Sequence, residues 1–174
     1  MSNNTNAIVV RPVEPGDAAQ LRENCFSMNT LAEVEADIAE RITAFEAGAQ
    51  VHLVAEVRDS EKTSGVVGTG ILTRKEHPFM AHRGEVGSLV VHPDYQRRGI
   101  ARRIVETMCE YARSMGIEFL EIGCRGGTPA EKVYPRLGFI ECGRFPRGLI
   151  EPWGDHLAFD EVSFYMPVER KERS

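Results

Sequence analysis

The chain has 174 residues, the usual length of one domain and enough to bury a sizeable core. Hydrophobic residues make up 42% and charged residues 27%, and no apolar run approaches the roughly 18 residues that a membrane helix needs. The formal net charge of −5 argues against the broad basic face that binds nucleic acid. We therefore expect one domain over residues 1–174 that works without nucleic acid or membrane.

The N-terminus and the cysteines indicate the compartment. "MSNNTNAIVVRP" has no basic segment followed by a long apolar stretch, so we predict no signal peptide and a cytoplasmic location. The four cysteines are widely spaced and lack the Cys-x-x-Cys and neighbouring His of a metal site, so free thiols and no metal are expected (Cys25, Cys109, Cys124, Cys142). The oligomeric state stays open, with a homodimer as one alternative.

The first half of the chain predicts strands and two helices. A β-branched strand over 7–13 precedes a helix that opens after Pro15 and Gly16. "TLAEVEADIAERITAFEAG" begins with a capping box of Thr30 and Glu33. Its apolar residues recur every three or four positions and predict one buried stripe (Leu31, Val34, Ile38, Ile42, Phe45). "VHLVAEVR" and "GVVGTGILTR" then predict paired strands joined by the polar loop "DSEKTS".

The second half alternates strands with helices. A strand over 85–91 leads into an amphipathic helix that Gly116 stops. "FLEIGC" predicts another strand, "PAEKVYPRLGF" a short helix closed by Gly138, and "VSFYMPV" a last strand. This order predicts an α/β (α+β) domain with a mixed sheet.

The segment "HPDYQRRGIARRIVE" (residues 92–106) crowds four arginines at a predicted helix start (Arg97, Arg98, Arg102, Arg103). A cation at a helix N-terminus costs about 0.3–1 kcal/mol, unless an anion occupies the free N–H groups there. Gly99 and the small Ala101 would let the chain pass close to a phosphate. The spacing matches neither the Walker nor the Rossmann glycine pattern. The alternative is that Gly99 only breaks the turn and the arginines form a solvated face.

Two segments resemble the GNAT N-acetyltransferase family. "LVVHPDYQRRGIA" resembles its acyl-CoA-binding signature through residues 96–101, and "AEKVYPRLGF" resembles its Ala-x-x-x-Tyr-x-x-x-Gly-Phe motif through residues 130–139. The match covers residues 85–142. The segments "RGEVGSLVVHP" and "AEKVYPRLGF" also resemble small-molecule acetyltransferases of the tabtoxin-resistance kind.

The resemblance implies acetyl-CoA as co-substrate and a mostly antiparallel sheet of about six to seven strands with four helices. A bulge at Gly87, Ser88 and Leu89 would splay the two central strands into a wedge for the thioester. The pyrophosphate would lie on the amides of residues 97–102, the pantetheine along Leu89 and Val91, and the 3′-phosphate among the arginines. Thr128 either caps the following helix or replaces a family Asn. The implied coenzyme-binding residues are Leu89, Val90, Val91, Gln96, Arg97, Arg98, Gly99, Ile100, Ala101, Arg102, Thr128 and Tyr134.

Acyl transfer to an amine needs a base, an oxyanion donor and an acid. The resemblance implies Glu85 as general base, against the alternative of a surface carboxylate paired with Arg83. His82 and His92 are rivals of the right chemistry: His92 is expected to face solvent, and His82 lies in a loop near the substrate. The oxyanion donor is expected to be a main-chain N–H near Leu89 or Val90.

Tyr134 corresponds to the family tyrosine near the coenzyme sulfur and is the expected general acid. The alternative is a core aromatic under Leu137 and Phe139. A phenol can protonate the departing thiolate only if it is held beside it, which the short helix would do.

The acceptor is the least determined part of the sequence. "FPRGLIEPWGDHLAFDEVSFY" is predicted as a loop before the last strand, with Trp153 and four carboxylates (Glu151, Asp155, Asp160, Glu161). These residues either line a pocket for a cationic amine or form a solvated acidic loop with Trp153 over the core edge. No nucleophilic triad is legible, so direct transfer in a ternary complex is expected. Three functions stay open: acetylation of a small primary amine, acetylation of a protein or peptide, and non-catalytic acyl-CoA binding.

Overall fold

Seven strands form one sheet in the computed structural model, which describes residues 7–58 and 65–169. The strands are β1 (Ala7–Pro12), β2 (Gln50–Arg58), β3 (Gly65–Arg74), β4 (Arg83–Val91), β5 (Phe119–Arg125), β6 (Ile140–Ile150) and β7 (Ala158–Pro167). Their order is β1-β2-β3-β4-β5-β7-β6, and only β4 and β5 run parallel. The predicted mixed, mostly antiparallel sheet is confirmed.

The four predicted helices are present as α1 (Ala18–Asn24), α2 (Leu31–Glu46), α3 (Ile100–Ser114) and α4 (Pro129–Leu137). The capping box of α2 is confirmed, because Glu33 N donates to Thr30 Oγ1 at 3.3 Å and Thr30 N donates to the Glu33 carboxylate at 2.7 Å. The predicted stripe is wrong at its ends. Leu31 is 44% exposed and Phe45 is 39% exposed. The buried residues of α2 are Val34 and Ile38, which lie in the turns between Leu31 and Phe45.

The first face of the sheet carries α3 and α4. α3 lies on β2, β3 and β4 and buries the predicted side, including Ile104 and Met108. Gly70 of β3 allows this close approach, since a Cβ there would lie 2.7 Å from Met108 Cε and 2.8 Å from Ile104 Cγ2. Residues of β4 and β5 that alternate with the exposed positions, such as Val86 and Leu120, belong to the same core.

α1 and α2 cover only part of the second face, over β2 and β3. Leu21, Val34 and Ile38 pack there against Val54 and Val66. Because side chains alternate along a strand, the registers assign further residues of β4, β5 and β7 to this same second face (Glu85, Gly87, Glu121, Gly123, Ser163, Tyr165). The uncovered part of the second face therefore presents side chains of the central strands.

The segment predicted as a loop before the last strand is mostly a strand. Residues 140–150 form β6, and the turn to β7 spans only residues 151–157. Pro146 and nearby glycines suggest a loop, yet β6 is an edge strand, where proline is tolerated and bulges are common. Two register shifts, at Glu141/Gly143 and Phe145/Leu149, absorb these residues.

Some sequence predictions fall on residues 1–6 and 59–64, which lie outside the described residues. These are the absence of a signal peptide and the loop "DSEKTS". Among the described residues, no helix has the length and apolar character to span a membrane.

Candidate active site

The N-terminus of α3 exposes backbone N–H groups beside a turn in left-handed conformation. Gly99 is the N-cap with a φ of 79°, and Arg97 also has a positive φ, 60°. Arg103 N donates to Gly99 O at 3.1 Å as the first bond of the helix, so the N–H groups of residues 100–102 precede the hydrogen-bonded ladder. A Cβ at Gly99 would meet no heavy atom within 4 Å, so backbone conformation rather than packing requires glycine. This is the geometry of an anion site.

The four arginines at this helix start have different environments. Arg98 donates from Nη2 to Asp94 O at 3.0 Å and lies over the Tyr95 ring, 5.0 Å from its centroid. Arg102 donates to Arg136 O at 2.7 Å and so ties α3 to α4. The side chains of Arg97 and Arg103 are exposed and form no hydrogen bond or ion pair with the described residues. Fold contacts therefore account for two of the arginines and leave Arg97 and Arg103 available.

A groove of about 400 Å³ opens between α3 and α4 on the first face. Its lining combines both sequence segments: Leu89 and Val91 from β4, Gln96, Arg97, Gly99, Ile100, Ala101 and Arg102 from the α3 start, and Ala130, Val133, Tyr134 and Leu137 from α4. The apolar strand end and the cationic helix start suit a ligand with an apolar arm and phosphate groups. The residues fit the arm and phosphates of a coenzyme A thioester.

Three residues predicted to bind the coenzyme do not line this groove. Val90 pairs with Thr69 on the second face. Arg98 turns back to Asp94 O. Thr128 occupies the N-cap position of α4, one of its two expected roles, but its side chain donates to Arg125 O at 2.6 Å instead of accepting a capping bond.

The two central strands separate as predicted. β4 and β5 pair only at Arg83 with Phe119, Gly84 with Leu120, and Glu85 with Glu121. The β3–β4 register shifts between Thr69 and Ile71, so β4 has one extra residue within the segment 87–90, and Ser88 there has a φ of 49°. This bulge turns Leu89 to the first face, because a Cβ at Gly70 would lie 3.3 Å from Leu89 Cδ1.

Tyr134 lies in the groove near this separation. It is half-buried, with the Phe164 and Phe139 rings at centroid distances of 5.6 and 6.1 Å. Burial raises the pKa of the phenol, and the neighbouring Cys124 thiol adds to the rise. At neutral pH the hydroxyl is therefore protonated, and it forms no hydrogen bond with the described residues. It combines the packing of a core aromatic with a place in the lining of the groove.

The second face carries a depression of about 610 Å³ over the same central strands. Glu85 lies in it with its side chain 62% exposed, and Lys75 Nζ contacts Glu85 Oε2. Glu121 is paired with Arg83 and lies 3.8 Å from Lys75 Nζ. The alternative in which Glu85 pairs with Arg83 is therefore wrong, since Arg83 pairs with Glu121 and Glu85 pairs with Lys75. Glu85 Oε1 accepts no hydrogen bond from the described residues.

The groove, the bulge and the separated strands can be compared with known proteins. The model of the acetyltransferase (GNAT) family matches residues 17–139. The chain belongs to the GNAT acetyltransferase family. No curated protein sequence matches it.

Solved structures share the GNAT fold at low identity. The Salmonella typhimurium protein yncA, solved with its cofactor acetyl-CoA, has a TM-score of 0.75 at 18% identity over 97% of this chain and 98% of that one. A ribosomal-protein-alanine N-acetyltransferase from Brucella melitensis has a TM-score of 0.71 at 20% identity, over 91% of this chain and 99% of that one. A spermidine N-acetyltransferase SpeG chimera from Vibrio cholerae and hSSAT has a TM-score of 0.70 at 18% identity, over 92% of this chain and 95% of that one. At these identities the likeness shows a shared fold.

The two histidines weighed as alternative bases, His82 and His92, occupy different settings in this GNAT chain. His92 Nδ1 accepts a hydrogen bond from Asp94 N at 3.3 Å, and its ring packs on Tyr95 at 5.8 Å between centroids. His92 therefore caps the turn before α3. His82 is exposed, borders the depression and has its ring 6.1 Å from that of Phe119.

The carboxylates predicted around the acceptor do not share one pocket. Glu151 pairs with Arg125, and Asp160 accepts from Arg147 N at 3.1 Å. Asp155 and Trp153 lie in the β6–β7 turn, where Trp153 is 66% exposed, and neither lines the depression. Glu161 is the member of the set that borders it.

The depression also contains residues that sequence reasoning missed. Lys75, Glu121, Cys142, Ser163 and Tyr165 come from different strands and loops. Glu121 lies within "FLEIGC", where a single Glu between apolar residues indicates only an exposed strand position. The alternation would have assigned Glu121 to the solvent face, but its pairing with Arg83, 38 residues earlier, depends on the sheet order.

Proposed function

We propose that the protein transfers the acetyl group of acetyl-CoA to a primary amine by direct transfer in a ternary complex. The observation that carries this proposal is the separation of β4 and β5 between two sites on opposite faces. Leu89 faces the groove and Glu85 faces the depression, although both belong to one strand. Two reactants bound on the two faces would meet where the strands part.

The first-face groove is the proposed acetyl-CoA site. Acetyl-CoA supplies an acetyl group activated as a thioester. The N–H groups of residues 100–102 and the Arg97 guanidinium suit the phosphates, and Leu89 and Val91 suit the apolar pantetheine arm. The structure of yncA with acetyl-CoA supports this assignment through the shared fold.

Glu85 is the proposed general base. An aliphatic ammonium has a pKa of roughly 10, so the acceptor must lose a proton near the site before it can attack. Lys75 contacts Glu85 Oε2, which leaves Oε1 to take that proton directly or through a water. His82 borders the same depression and is the alternative base.

Tyr134 is the proposed general acid. Its raised pKa keeps the phenol protonated at neutral pH, and the hydroxyl of this groove-lining residue has no competing partner among the described residues. A main-chain N–H at the bulge near Leu89 or Val90 is the proposed oxyanion donor.

The acceptor is proposed to be a small molecule, since a depression of about 610 Å³ falls within the usual range of small-ligand sites. A peptide is the second candidate, because the β6–β7 turn contributes neither Asp155 nor Trp153 to the depression and so does not close it. The similar structures include both a spermidine and a ribosomal-protein acetyltransferase.

A panel of amines and amino-terminal peptides, incubated with acetyl-CoA, tests the proposal through release of free thiol. Binding is measured separately: at 100 times its Kd, acetyl-CoA should raise the free energy of unfolding by roughly 2.7 kcal/mol, whereas NAD and ATP should not. Stabilisation by acetyl-CoA without thiol release from any acceptor would indicate a non-catalytic binding module. Equal stabilisation by all three ligands would contradict the coenzyme assignment.

A further inference from the structure

A row of residues with little or no side chain crosses the second face of the sheet. Gly123 of β5 lies opposite Ser163 of β7, and both line the depression. Gly143 of β6 lies opposite Ser163 and continues the row beside Cys142, which borders the depression. Strands lie about 4.8 Å apart, so this row crosses about 10 Å of the sheet. Glu121 and Tyr165 stand in the neighbouring row on one side. The row forms a trough one residue wide that begins where β4 and β5 separate.

The fold itself does not require the two glycines in this row. A Cβ at Gly143 would meet no heavy atom within 4 Å, and one at Gly123 would meet only Val162 O at 3.6 Å. Neither has a positive φ. Gly70 and Gly84 differ, because an added Cβ would lie 2.7 Å from a core side chain in each case. A side chain in the trough would fill open space and leave the core unchanged.

Glu161, at the border of the trough, is a carboxylate without a side-chain partner in the part of the chain that the structure describes. Lys75, Arg83, Glu85 and Glu121 neutralise one another at the other end of the depression. Glu161 forms no hydrogen bond or ion pair through its side chain with the described residues. Gly148 of β6 allows the close approach to Glu161, since a Cβ at Gly148 would lie 2.8 Å from Glu161 Cβ.

We infer that the acceptor is an unbranched aliphatic amine that lies in this trough and places a second cationic group on Glu161. The inference rests on the proposed acetyl transfer. Glu161 is two residues from Ser163 on β7, so it is the diagonal neighbour of Gly123, about 7–8 Å away. A chain of several methylene groups spans that distance, whereas a branched skeleton would meet the Glu121 and Tyr165 side. Glu161 is thus a specificity residue for a diamine.

The test compares a diaminohexane with amino groups at both ends against hexylamine. In the wild type, the KM of the diamine should be lower than that of hexylamine by about threefold or more, as expected from the free energy of a partly exposed ion pair. Glu161→Gln should abolish this preference without changing the KM for hexylamine. Asp155→Asn removes the same charge from the β6–β7 turn and should preserve the preference. Equal KM values for both amines in the wild type, or an unchanged preference in Glu161→Gln, would overturn the inference.

Gly123→Val tests the trough without removing a charge. Valine favours strands, so the melting temperature and acetyl-CoA affinity should stay near wild type, while kcat/KM for the diamine falls by roughly tenfold or more. An unchanged kcat/KM would overturn the trough. If no amine is acetylated, the proposed function fails separately. In that case the affinity of the diamine for the protein with bound coenzyme A is measured by calorimetry. A lower affinity in Glu161→Gln would support the inference, and an unchanged affinity would overturn it.

Discussion

The two faces of the central strands carry sites of different construction. The first-face groove is built from two continuous segments, the β4–α3 turn and α4, so most of its residues are neighbours in sequence. The second-face depression collects residues from β4, β5, β6, β7 and the β3–β4 loop, which are far apart in sequence. Local backbone geometry determines the first site, whereas strand order and register determine the second. Most residues of the first site can therefore be predicted from the sequence, whereas the residues of the second site are brought together only by the fold.

The second face divides further into a covered and an uncovered part, and a pH titration should distinguish them. His52 lies under α1 and α2, 2% exposed, with Nε2 2.8 Å from Thr69 Oγ1. Thr69 Oγ1 donates to Leu53 O at 3.1 Å, so His52 Nε2 is the donor to Thr69. His52 Nδ1 is buried and has no hydrogen-bond partner within residues 7–58 and 65–169. Protonation would therefore place a charge on an unpaired buried nitrogen.

The largest expected effect follows from this histidine. Burial, aided by the charge of Arg41, lowers the pKa of His52 from 6.5 to about 4. Between pH 6.5 and 4, His52 is protonated in the unfolded chain but not in the folded chain. The free energy of unfolding therefore falls as the pH drops through this range, by about 3 kcal/mol in total. Denaturation at several pH values checks this. His52→Gln keeps a donor for Thr69 and should flatten the curve over this range; identical slopes in both proteins would contradict the assignment.

Tyr134→Phe tests whether the first-face groove is catalytic or only a binding site. If the hydroxyl protonates the departing thiolate, kcat should fall roughly 10²-fold with little change in acetyl-CoA affinity. The ring is retained, so its packing against Phe139 and Phe164 is preserved. Steady-state kinetics and equilibrium binding separate the two quantities. Wild-type turnover would reduce Tyr134 to a core aromatic and leave the coenzyme groove intact.

Much of the fold could be predicted because its signals are local. The capping box at Thr30 and the amphipathic pattern of α3 are legible within a few residues. β6 could not be predicted, since Pro146 and the neighbouring glycines resemble a loop and only an edge position makes them acceptable in a strand.

The site divides in the same way. The Gly99 turn and the bulge near Ser88 could be located from sequence segments that resemble a family, and the structure confirms both features. The ion-pair partner of Glu85 could not be predicted from the sequence. Lys75 reaches it from the end of β3, and Arg83 turns to Glu121 on the neighbouring strand. Such ion pairs depend on registers that no single segment contains.

Gly99→Val should weaken acetyl-CoA binding by about tenfold, because it puts a branched side chain at a left-handed position beside the groove. Gly116 offers a matched control at the other end of α3, with a φ of 71° and only Arg74 Nη2 within 4 Å of an added Cβ. Both variants should lose similar stability, and only Gly99→Val should lose coenzyme affinity, measured by calorimetry. Equal affinities would leave Gly99 as a turn residue alone.

The smallest expected effect concerns the arginines at the start of α3. Arg97 lines the groove and Arg103 does not, although both side chains are exposed and have no partner among the described residues. Arg97→Gln should therefore weaken acetyl-CoA binding about threefold at low salt, and Arg103→Gln by less, with the difference shrinking as salt screens the phosphates. Without coenzyme, Arg103→Gln should stabilise the protein by a few tenths of a kcal/mol, since a cation near a helix N-terminus is unfavourable. A larger loss of affinity in Arg103→Gln than in Arg97→Gln would mean that the phosphates lie outside the groove.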